Sequence, residues 1–178
     1  MNEAAKKPGR MAIGCLIALL APMFLYVAGS FAIWSITSFD NLTYARTFFS
    51  RRVQIEEVIA SKRWHDGGFG CTYAAVVFTE ETAKKIRTSG PDALFSKPDR
   101  SKANSAAYWD GEWRPTPMPD DSRLKAMFDN CLHEINPDYT KVIQGMFNEH
   151  GSYYSTSRTR VGVISEKTRI AIVLRFGD

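Results

Sequence analysis

Between Arg10 and Asp40 the chain carries no charged side chain, and from Met11 to Trp34 the residues are almost wholly apolar. An α-helix needs roughly 20 such residues to cross a bilayer core of about 30 Å. The run is long enough to span, and it constrains where everything after it sits.

Two readings fit the run, a retained anchor and a cleaved signal peptide. Both require the short basic stretch of Lys6, Lys7 and Arg10. A signal peptide's apolar region is about 7–15 residues and ends at small residues. Ala28-Gly29-Ser30 has that character, yet Phe31, Ala32, Ile33 and Trp34 continue the apolar stretch. The continuation favours a retained span, with the amphipathic ring of Trp34 at the far interface. Cys15 has too few apolar residues before it for a lipoprotein cleavage box and reads as a small helix-packing residue. Pro22 removes one backbone donor in mid-span, which predicts a mild kink.

Lys6, Lys7 and Arg10 abut the span, whereas Arg46, Arg51 and Arg52 lie farther away on the other side. The basic cluster nearest the span places the N-terminus in the cytoplasm and the remaining chain outside.

About 140 residues follow the anchor, enough for one compact domain. The chain's net charge is +4, and without Lys6, Lys7, Arg10 and Glu3 the outer part is near +2. Nucleic-acid binders concentrate far more positive charge on one face, so no nucleic-acid partner is expected. Cys71 and Cys131 fall in the outer part. In an oxidising compartment such a pair forms a disulfide, the favoured reading, while two buried free thiols are the alternative.

Local signals outline the domain. Phe39 to Ser50 either extends the membrane helix or forms a short juxtamembrane helix that Asp40 would cap, with Leu42, Ala45 and Phe49 on one face. Val53 to Arg63 and Thr72 to Phe78 read as strands of a hairpin around a glycine-rich connector. Thr79 is a good N-cap, with Glu80 and Glu81 in the first turn, Lys84 and Lys85 beyond, and Gly90-Pro91 as the stop. Pro98 to Asp121 reads as a long irregular excursion. Leu124, Met127, Phe128, Cys131, Leu132 and Ile135 recur at helical spacing, which puts Cys131 on a buried face. Asn136-Pro137-Asp138 opens the next helix, with Tyr139, Val142, Ile143, Met146 and Phe147 as its apolar stripe. Ser152 to Ser157, Arg160 to Ser165 and Arg169 to Phe176 read as strands, the last covered on both faces.

Chemical motifs are sparse. The glycines of His65 to Gly70 lack the Lys-Ser/Thr ending of a phosphate-binding loop, and His133-Glu134 lacks the second histidine of a zinc-protease helix. No spacing brings His65, His133 and His150 together, so no metal or cofactor is expected. Two surfaces remain as partner-binding candidates. One is the aromatic loop carrying Tyr108, Trp109 and Trp113, since tryptophan is enriched at binding hot spots. Its rings would also stack on sugars, or fold back to complete the core. The other is a basic group of Arg158, Arg160, Lys167 and Arg169, whose simpler role is to prevent sheet-to-sheet association.

The expected fold class is α+β, a single transmembrane helix followed by an antiparallel sheet of about five strands packed with three helices. The expected organisation is a cytoplasmic segment 1–10, a membrane span 11–35, a juxtamembrane helix or linker 36–52, and an extracytoplasmic domain 53–178. The leading functional expectation is a non-catalytic interaction module with an envelope protein partner at a bacterial inner membrane. It would work in an envelope assembly or inhibit an envelope-directed enzyme. The alternatives are an enzyme acting on envelope glycan or lipid, and a soluble binding factor released by cleavage.

Overall fold

The computed structural model describes residues 10–49, 52–63, 70–95, 112–120, 128, 130–133, 135–157 and 160–176. The chain divides into two units, Met1–Phe39 and Asp40–Asp178. Helix α1, Arg10–Phe49, carries the uncharged segment and continues without a break into the second unit, with Pro22 inside it. It is the one helix among the described residues that is long and apolar enough to cross a membrane.

Asp40 is therefore interior to α1 and does not cap a separate helix. Its carboxylate instead meets Arg63 at 3.3 Å. The face of α1 that enters the domain also differs from the expected one. Ala45 and Phe49 are buried, but Leu42 is 72% exposed, and Phe48 completes the buried stripe.

The second unit is α+β, built on one antiparallel sheet of six strands where about five were expected. They are β1 (Ile55–Lys62), β2 (Cys71–Phe78), β3 (Arg114–Pro115), β4 (Tyr153–Thr156), β5 (Arg160–Ser165) and β6 (Ile170–Phe176). Their spatial order is β1-β2-β6-β5-β4-β3. The extra strand, β3, pairs only Arg114 with Tyr154 and Pro115 with Tyr153. Proline is tolerated there because β3 is an edge. Thr116 then fastens this edge, its hydroxyl donating to the carbonyl of Glu149 at 2.6 Å and accepting the amide of Ser152 at 3.1 Å.

The remaining helices are α2 (Glu80–Ser89), α3 (Asp92–Phe95) and α4 (Pro137–Asn148), with further helical residues at Phe128 and 130–132. The cap signals act as expected. The Thr79 side chain accepts the amide of Thr82, Gly90 closes α2 at φ 74°, and Asn136 caps α4 ahead of Pro137.

Both faces of the sheet are covered, which explains the continuous burial of Ile170 to Leu174 in the central strand β6. One face carries Tyr73, Val161, Val163, Ile172 and Leu174 against Phe128, Leu132, Ile143 and Phe147. The other carries Val76, Phe78, Ile164 and Val173 against Phe48, Phe49, Ile86, Phe95 and Trp113. Each such fully buried side chain contributes about 1.5–3 kcal/mol of transfer free energy. Cys71 on β2 is bonded to Cys131, whose neighbours cover the first face. The disulfide thus staples a helical segment to the sheet across 60 residues of chain.

Candidate functional site

Among the described residues, two clefts are lined by charged side chains. The larger, about 610 Å³, lies where the end of α1 meets the start of β1 and α2. Its floor is preformed. Val53 and Thr82 are each 3% exposed. The amide of Gln54 donates to the Thr82 hydroxyl at 3.2 Å, and the Thr79 amide donates to the Gln54 carbonyl at 2.9 Å. These bonds use the chain entering β1 to hold the N-terminus of α2.

Among the described residues, Arg46, Arg52 and Lys85 are the charged residues that line this cleft. Arg46 sits in the last turn of α1, where a cation complements the negative end of the helix dipole. The Arg52 guanidinium lies over the Phe95 ring, 5.5 Å from its centre. Lys85 pairs with Glu81 at 2.9 Å, one turn back on α2. The hydrogen bond from Lys85 holds the Glu81 carboxyl below its ordinary value, and the Lys85 charge adds to that effect.

The smaller cleft, about 320 Å³, lies between the end of α4 and the β5–β6 turn. Lys141, Val142, Glu149, His150 and Lys167 surround its mouth. Val142 is 39% exposed and is the exposed large aliphatic of the second unit beyond α1, among the described residues.

The expected partner-binding residues fall in separate places. Tyr108, Trp109 and Arg158 lie outside the described residues. Trp113 is only 8% exposed, its ring 5.2 Å from that of Phe95 in the core beneath α2 and α3. This position matches the reading in which the loop's ring completes the core.

The basic residues do not form one patch. Arg160 begins β5, whereas Lys167 and Arg169 lie in the turn after it. Five strand steps separate the ends of β5, about 17 Å. That strand is also interior to the sheet and has no edge to protect. Arg169 pairs with Glu56 of β1 at 2.7 Å, while Lys167 lines the smaller cleft.

The expectation from the sequence that neither Gly-x-Ser-x-Gly nor Ser-x-x-Lys occurs holds for the first spacing and not for the second. Ser122 and Lys125 stand in Ser-x-x-Lys order, and both lie outside the described residues. Among the described residues, no three His, Cys, Asp or Glu side chains gather as a metal site. Comparison with protein-family models, curated proteins and solved structures finds no match to this chain.

Proposed function

We propose that this protein is a membrane-anchored interaction module, non-catalytic, with its α+β domain on the extracytoplasmic side of a bacterial inner membrane. It works within an envelope assembly or inhibits an envelope-directed enzyme. One observation carries the reading. The helix that holds the uncharged segment also supplies Ala45, Phe48 and Phe49 to the domain's core. A domain whose fold includes the end of its own anchor stays at a membrane surface, which suits partners held in the same plane.

The Cys71–Cys131 disulfide supports the extracytoplasmic side, because such bonds persist where thiols are not kept reduced. The smaller cleft supports a protein partner. Its lining joins an exposed aliphatic, Val142, with Lys141, Lys167 and Glu149, a mixed rim suited to a protein surface that carries apolar and charged groups. Among the described residues, Lys167 is the sequence-derived candidate that lines one of these two clefts.

A photo-crosslinking side chain at Val142 of the full chain in intact cells tests this reading. A discrete adduct with an envelope protein is expected, and it should be lost when Lys141 and Lys167 are both changed to Glu. A folded, membrane-inserted chain that gives no protein adduct from Val142 would contradict it.

A further inference from the structure

The residues that join β5 to β6, Glu166 to Arg169, are tied to four other elements. Glu166 pairs with Arg87 of α2 at 3.3 Å. The Thr168 amide donates to the Ser165 hydroxyl at 3.4 Å, and the Thr168 hydroxyl donates to the Met146 sulfur of α4 at 3.4 Å. Arg169 reaches Glu56 of β1 at 2.7 Å, and its carbonyl accepts the Phe78 amide of β2 at 2.8 Å. Within this turn only the side chain of Lys167, which is exposed, makes no hydrogen bond or ion pair among the described residues. Lys167 is also the residue that lines the smaller cleft beside Lys141 and Val142.

Arg169 stands apart by its backbone. Its φ is 58°, and among the described residues no other non-glycine residue has a positive φ. Glycine enters that region without steric cost, whereas a residue with a Cβ does not. The backbone alone favours glycine at 169, so an outlier here points to a role for the arginine side chain. That side chain is engaged by Glu56, which does not line the cleft. The two side chains are 35% and 51% exposed, and such pairs add little to global stability. The effect of the pair is local, on the order of the turn it closes.

We propose that Arg169 is a positioning residue for the smaller cleft. By bridging to Glu56 it fixes the β5–β6 turn, so that Lys167 is presented at the cleft before a partner arrives. A loop already ordered loses less freedom on docking and binds more tightly through the same contacts. The proposal rests on the reading of this cleft as the partner surface. It gives Arg169 a role other than contact, since its guanidinium orders the turn and leaves the touching to Lys167.

The test uses the full-length protein. A nitroxide at Lys167→Cys in a Cys15→Ser chain, in neutral detergent, reports motion of the turn by electron paramagnetic resonance. The label should give an ordered line shape, and a mobile component should appear in Arg169→Gly and equally in Glu56→Gln. Glycine suits the backbone at 169 and Glu56 is exposed, so both variants should unfold at the wild-type denaturant midpoint. In intact cells, with Lys167 in place, each variant should lower the Val142 photo-adduct several-fold. Glu56→Arg with Arg169→Glu rebuilds the pair with its charges exchanged and should restore both the ordered line shape and the adduct. Unchanged spectra in both single variants would overturn the proposal, as would mobile spectra with an undiminished adduct. A wild type that gives no Val142 adduct contradicts the partner reading, whereas the spectra decide the ordering of Lys167 independently.

Discussion

Ser61 on edge strand β1 bridges two backbone groups of α1. Its hydroxyl accepts the amide of Ala45 at 2.9 Å and donates to the carbonyl of Asn41. Those two groups are four residues apart, the pair that an α-helix ordinarily joins to each other. The Asn41 side chain also accepts the amide of Arg63 at 2.8 Å. The first turns of α1 within the domain are thus stitched to the end of β1 by specific hydrogen bonds as well as by apolar contact.

Ser61→Ala should destabilise the domain by about 1 kcal/mol. Two part-buried hydrogen bonds from Ser61 to the α1 backbone are lost. Ser61→Thr keeps the hydroxyl and should cost less. Denaturant unfolding of the full chain in mild detergent measures both.

Trp113→Ala should cost about 3–5 kcal/mol, the range for deleting a buried aromatic ring. Trp113 packs on Phe95 in a core that also holds Phe49 and Ile86. The unfolding midpoint reports this directly. Unchanged stability with a lost protein adduct would instead assign the ring to a partner.

Changing both Cys71 and Cys131 to Ala should lower stability by about 4 kcal/mol in the chain-entropy model, less any gain from repacking. The two residues close a loop with a sequence separation of 60, and both are buried. Reduction of the wild-type protein should reproduce the loss, which the same unfolding experiment detects.

Glu81 provides a pH dependence. Its carboxyl titrates below the ordinary glutamate value because Lys85 hydrogen-bonds the charged form. A depressed folded-state pKa stabilises the fold above the unfolded value of about 4.3, and that contribution disappears as pH falls through the folded value. Thermal unfolding of wild type and Glu81→Gln should therefore converge as pH falls from about 5 to 3. The separation at pH 5 should be small, since the pair is exposed.

Much of the domain was legible because its signals are local. Thr79, Asn136 and Pro137 mark helix starts by cap chemistry, and the unbroken apolar run from Ile170 to Leu174 marks a strand buried on both faces. Cys131 was placed on a buried helical face by spacing alone, and its bond to Cys71 follows. The continuation of α1 past Phe39 is one of the two readings the sequence allows, while the contacts of Asp40 with Arg63 and of Asn41 with Ser61 are remote in sequence. Two features were not legible. Strand β3 is two residues long and contains a proline, below any periodic signal. The larger cleft is assembled from Arg46, Arg52 and Lys85, which only the packing of α1 and α2 on the sheet brings together. Conversely, Arg160 and Lys167 are near in sequence, yet β5 separates them.

The most direct test of the account concerns the side of the membrane on which the domain lies. Cys71 and Cys131 are both buried, so an exposed reporter is needed. Gln144 on α4 is exposed, and Gln144→Cys in a Cys15→Ser chain supplies one. In intact spheroplasts, a membrane-impermeant maleimide should label this thiol without lysis, with the Cys71–Cys131 bond still formed on a non-reducing gel. Labelling that requires lysis would put the domain in the cytoplasm and contradict the account.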